Sequence, residues 1–103
     1  DVTITLADAR QMRTAVLDYV RQSDIGDKDE LVKLTQATPA WIDPDGRVRA
    51  GGWVLEARGA QLMLACRISQ NDERAVGYAA FVTRGPDGWK VLRVVPEKIR
   101  FRP

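Results

Sequence analysis

Histidine is absent from these 103 residues, so the side chain best suited to proton transfer near neutral pH is missing and any general base must be a carboxylate or a perturbed lysine. Cysteine occurs once, as Cys66. A lone cysteine closes no intrachain disulfide, and no neighbouring residues supply metal-ligand spacing, so a disulfide framework and a zinc site are both excluded. No apolar run approaches the ~20 residues that would cross a bilayer as a helix. No motif in the chain carries identifiable chemistry, and no cofactor is expected. The chain begins at Asp1 rather than at methionine, as it would after removal of a signal peptide, after trimming of a tag or as a domain cut from a longer chain, and one cysteine suits a bacterial periplasm as well as a cytosol; a periplasmic or secreted location is only slightly favoured over a cytoplasmic one.

What is present is ordinary for one globular domain spanning residues 1–103: 45% hydrophobic, 29% charged and a net charge of +2. The charge is uneven. Residues 1–52 carry 7 basic and 9 acidic groups, whereas residues 53–103 carry 9 basic and 5 acidic ones.

The segment from Arg74 to Val95 is two stretches rich in β-branched and aromatic residues joined by Gly85-Pro86-Asp87-Gly88, which predicts a β-hairpin. Upstream, Val2, Ile4 and Leu6 alternate with threonines and predict a short first strand. Thr5 and Asp8 have capping-box spacing. From there Ala9, Met12, Val16, Tyr19 and Val20 recur at three- and four-residue spacing, which predicts an amphipathic helix. A shorter helix is expected from Asp27 through Thr35.

After Pro39 the period changes to alternation. Asp43-Pro44-Asp45-Gly46 predicts a turn pairing Ala40–Ile42 with the strand that follows. In residues 47–58 the apolar parity switches at Gly51-Gly52, from Val48 and Ala50 to Trp53, Leu55 and Ala57, and a β-bulge within one bent strand would account for it. Leu62, Leu64, Cys66 and Ile68 share one face of the next strand. Val76, Tyr78, Ala80 and Val82 share one face of the strand after it, and these form the core to be covered by the helix. After Pro96, Ile99 and Phe101 alternate with Lys98, Arg100 and Arg102, as in a final strand with a basic outer row.

The expected fold is therefore α+β: an N-terminal helix and a short second helix packed on a curved antiparallel meander of four to five strands. The helix from Leu6 to Gln22, the Gly51-Gly52 bend and Gly88-Trp89-Lys90-Val91 opening a late strand resemble the cystatin-like and NTF2-like rolls in architecture. The Gln-x-Val-x-Gly hairpin of cystatin inhibitors has no counterpart here. The His, Asp or Tyr sites of NTF2-like enzymes lack their histidine, which argues against an enzyme.

Candidate sites follow from the same alternation. Glu56 is the best-placed carboxylate, but strict alternation sets it opposite Trp53 and Leu55, in solvent. Cys66 falls on the core parity, where a thiol is a small unreactive hydrophobe. Tyr19, Trp41, Trp53 and Tyr78 could line a pocket between helix and sheet for a small apolar ligand, the alternative function, although a domain this small is more expected to need such large aromatics as core. Lys90, Arg93, Lys98, Arg100 and Arg102 with Trp89 and Phe101 approximate a nucleic-acid stripe, but the net charge disfavours that partner. The second sheet face holds Met63, Ala65, Gly77, Ala79 and Phe81, an apolar platform that soluble monomers rarely expose. A binding or assembly module that dimerises through this face, or covers it with another protein or with its own segment Pro96–Pro103, is the leading expectation.

Overall fold

Thr5 is where the chain turns helical. Its backbone is extended (φ −99°, ψ 169°), its hydroxyl accepts the Asp8 N–H at 3.2 Å, and the Asp8 carboxylate accepts the Thr5 N–H at 2.8 Å. This reciprocal box fixes the start of α1, Leu6–Arg21. In the computed structural model, which describes residues 3–71 and 74–97, Thr3 and Ile4 form no strand, and Val2 lies outside the described residues. The buried stripe of α1 is Ala9, Met12, Val16 and Val20. Each fully buried methionine or valine there contributes roughly 1.5–3 kcal/mol through removal from water.

The second helix, α2, runs Lys28–Ala37 and buries Leu31 and Thr35. Its N-cap residue Asp27 makes no side-chain cap bond, and its carboxylate accepts the Tyr78 hydroxyl proton instead. The last turn of α2 carries no basic residue of its own. Arg13 of α1 supplies the missing cation: Nε donates to the carbonyls of Thr35 and Thr38 and Nη2 to that of Gln36, each at 3.0 Å. Helix-end carbonyls without intrahelical partners are thereby satisfied from the neighbouring helix.

The described residues form one six-stranded antiparallel sheet in chain order: β1 Ala40–Ile42, β2 Val48–Ala50, β3 Trp53–Arg58, β4 Gln61–Asn71, β5 Arg74–Gly85 and β6 Gly88–Glu97. The expected four to five strands become six at Gly51-Gly52. Ala50 pairs with Trp53, so the two glycines (φ 65° and 89°) are the central residues of a tight hairpin between separate strands, not a bulge in one strand. Positive φ at both central positions is what a type I′ turn requires. The turn is also wedged into the helices. A Cβ on Gly51 would come within 2.7 Å of the Thr35 carbonyl oxygen and 2.9 Å of Arg13 Cγ, and one on Gly52 within 2.7 Å of Leu34.

The inner face of the sheet meets the helices. Trp53, Leu64, Cys66, Tyr78, Ala80, Val82 and Trp89 join Met12, Val16, Val20 and Leu31 in one core. Trp53 is its largest fully buried side chain, and the indole N–H donates to Thr35 Oγ1 at 2.9 Å, while that hydroxyl donates to the Leu31 carbonyl at 2.7 Å. The β5–β6 pairing slips once: Phe81 is opposite Arg93 but Val82 is opposite Val91. Leu92 is the extra residue and is 58% exposed. The proposed strand around Ile99 and Phe101 lies outside the described residues.

Candidate interface on the outer sheet face

Titratable groups with displaced pKa values are engaged in holding the fold. Asp8 is lowered to about 2, first by the Thr5 backbone N–H and then by the Trp89 indole N–H, which it accepts at 3.0 Å; Arg84 adds a 3.0 Å ion pair. Burial pushes the Tyr78 hydroxyl up to about 12, with the Asp27 carboxylate adding to it. Burial likewise pushes the Cys66 thiol up to about 12, leaving it protonated at neutral pH. Burial alone would raise Asp43, but N–H groups of Arg47 and Asp45 and the Arg49 guanidinium bring it below the ordinary value. This carboxylate organises the β1–β2 turn. Among the described residues, no three His, Cys, Asp or Glu side chains converge as metal ligands, and no buried side-chain nitrogen or oxygen lacks a hydrogen-bond partner.

The four aromatics expected to line a pocket are dispersed. Trp53 and Tyr78 are core residues whose indole N–H and hydroxyl are bound to Thr35 and Asp27. Tyr19 is half-buried on α1. Trp41 is 42% exposed on edge strand β1, with the Arg49 guanidinium 5.9 Å from its ring centre. Glu56 is exposed on the outer face, 4.0 Å from Arg58.

The outer face is where the register gathers the remaining features. Cross-strand pairs set Val54 beside Ala65, Ala65 beside Ala79, Met63 beside Phe81, and Gly77 beside both Arg67 and Glu97. The expected platform of Met63, Ala65, Gly77, Ala79 and Phe81 therefore exists as a contiguous group, but most of it is sheltered within one chain. Met63 and Ala79 are 0% exposed, Gly77 is buried, and Ala65 and Phe81 are half-buried. Arg93 stacks on Phe81 at 4.4 Å. Arg58 reaches from β3 to Glu97 on β6 at 2.9 Å, an ion pair that crosses the two strands between them.

What this face offers to solvent is a cleft of about 390 Å³ floored by Val54, Ala65 and Gly77 and bordered by Arg47, Arg58 and Arg67, with Glu56 and Glu97 at its margin. Small side chains make the hollow, and long charged ones on the same and neighbouring strands make its walls. The arginines were not singled out from the sequence. Their signal was present: once Gly51-Gly52 is read as a turn, Arg49, Val54, Glu56, Arg58 and Arg67 fall on one face.

No family model, curated protein or solved structure matches the chain. Among the described residues no helix is long and apolar enough to cross a membrane.

Proposed function

We propose that this protein is a non-catalytic binding module whose working surface is the outer face of its sheet, built on an architecture like that of the cystatin-like and NTF2-like rolls. The observation that carries this reading is the arginine-bordered cleft over Val54, Ala65 and Gly77, on the side that the helices leave open. Support comes also from the helix-facing side, where the hydroxyl of Tyr78, the indole N–H of Trp53 and the carboxylate of Asp8 are committed to hydrogen bonds within the chain. A group so committed is a poor general acid or base, because its proton or lone pair must first be released.

Self-association through the same face is the second reading, favoured by the half-buried Phe81 and by Leu92 beside it at the β6 bulge. An NMR titration of labelled protein against a panel of short peptides and small apolar ligands tests the assignment. Amide shifts clustered at Val54, Ala65 and Gly77 are expected. Shifts clustered at Tyr19, Trp53 and Tyr78 would transfer the function to a small-ligand pocket between helix and sheet. Sedimentation equilibrium from 10 to 500 µM (roughly the range that separates weak dimers from monomers) reads self-association, which Phe81→Asp should abolish if a second copy is the occupant.

A further inference from the structure

We propose that the open edge of β1 is a docking strand for a second copy of this chain, the two β1 strands pairing antiparallel about a two-fold axis at Trp41. The arginine-bordered cleft plays no part in this contact. Register defines the edge. The Gly51 N–H donates to the Pro39 carbonyl at 3.3 Å and the Asp43 N–H to the Arg47 carbonyl at 3.0 Å. Bonded positions in an antiparallel pair alternate, so Trp41, midway between Pro39 and Asp43 and opposite Arg49, directs its main-chain bonds to β2. Ala40 and Ile42 turn theirs the other way, where β1 has no neighbouring strand among the described residues. A cleft of about 530 Å³ lined by Arg10, Thr14, Pro39 and Ala40 lies between α1 and the start of this edge, so the helix does not seal it.

The two edges of the sheet are built differently. β6 carries Lys90, Arg93, Pro96 and Glu97 and a bulge at Leu92, features that keep an edge from pairing with other chains. β1 is Ala-Trp-Ile, without charge or proline, and Trp41 and Ile42 are 42% and 38% exposed. Self-complementarity then selects a second copy as the occupant. With Trp41 opposite Trp41 of the second copy, Ala40 of each chain exchanges both main-chain bonds with Ile42 of the other, and the outward groups of all these residues are satisfied. The two tryptophans fall at a non-bonded position, where Cα atoms are only about 4.5 Å apart and the indoles can pack against each other on the outer face. Arg49, whose guanidinium lies 5.9 Å from the Trp41 ring, is already paired with Asp43 at 3.1 Å, so the cation beside each indole is neutralised.

So short an edge makes a small interface, and a dissociation constant of roughly 0.1–1 mM is expected. Dilution of the labelled chain from about 1 mM should move the amides of Ala40, Trp41 and Ile42, and sedimentation equilibrium over the same range reads the dimer itself. Trp41→Lys sets two like charges opposite each other at an exposed position and should weaken association roughly tenfold or more. Ile42→Pro removes an outward N–H while leaving the bonds to β2 in place, and should do the same. Unchanged amide positions in β4 and β5 show that both variants keep the fold. Phe81→Asp, on the outer face away from the edge, should leave the constant within about twofold. A chain that is monomeric at about 1 mM overturns the proposal, as does association that survives Trp41→Lys. Loss of association in Phe81→Asp overturns it too and assigns the second copy to the outer face. In each of these cases the cleft reading stands or falls separately, on the peptide titration at Val54, Ala65 and Gly77.

Discussion

Asp8 joins three parts of the chain at one carboxylate: the α1 cap at Thr5, the indole of Trp89 and the guanidinium of Arg84. All three partners favour the ionised form, which is why its pKa lies near 2 and not at the ordinary 3.8. A carboxyl held lower in the folded than in the unfolded chain contributes stability above about pH 3.8, and that contribution disappears as pH falls through about 2. Asp8→Asn keeps one acceptor oxygen, enough for Thr5 or for Trp89 but not for both, since these donate to different carboxylate oxygens, and it loses the charge facing Arg84. It should lower Tm between pH 5 and 7, with the difference from the parent closing toward pH 2. Melting curves by circular dichroism across that range would show it, and a constant difference down to pH 2 would mean that the carboxylate charge is not what ties the β5–β6 hairpin to the helix.

Elements were legible in proportion to how local their cause is. The α1 cap could be read because Thr5 and Asp8 are three residues apart, and the inner faces of β4 and β5 because alternation over eleven and twelve residues leaves little choice of register. Gly51-Gly52 misled for a definite reason. A one-residue bulge and a two-residue hairpin loop produce the same parity switch, since in the hairpin Ala50 and Trp53 become cross-strand partners on one face. What separates them is backbone conformation and the surface the turn meets, and neither is in the pattern of apolar residues. Arg13 reaching the end of α2 was illegible for a similar reason, because its acceptors lie 22 to 25 residues away and are backbone carbonyls. The hairpin reading has a measurable signature. Gly46 and Gly51 both have positive φ, but a Cβ on Gly46 meets nothing within 4 Å while one on Gly51 collides with Thr35 and Arg13. Gly46→Ala should cost about 1–2 kcal/mol from backbone strain alone, and Gly51→Ala a further 1–3 kcal/mol from overpacking. Urea denaturation of the two variants side by side would check the ranking; equal losses would mean that the turn does not dock against the helices.

For the molecule as a whole, the sheet has packed apolar residues on both sides, and only one side is covered by helices. An unsheltered outer platform would call for a second copy, but Met63 is as inaccessible as Leu64 on the helix side. Its neighbours in the register are Glu56 and Phe81, and on the same face lie the Arg93 stack and the Arg58–Glu97 pair. Long charged side chains lay their aliphatic stems over apolar residues and keep their charges in water, so such a face can be apolar beneath and basic above. The two descriptions of Met63 separate in one experiment. As a core residue, Met63→Ala should destabilise the monomer by about 2–5 kcal/mol, since removing buried methylenes leaves a hole that the neighbours fill only in part. As an interface residue it would leave monomer stability almost unchanged and weaken association instead. Leu92→Ala is the control for an exposed apolar residue on the same sheet, with an expected effect within about 0.5 kcal/mol. Chemical denaturation at two protein concentrations resolves the two cases, because unfolding coupled to dissociation shifts its midpoint with concentration and unfolding of a monomer does not. A large, concentration-independent loss for Met63→Ala would place the working part of the outer face at its arginines, not in the apolar layer beneath them.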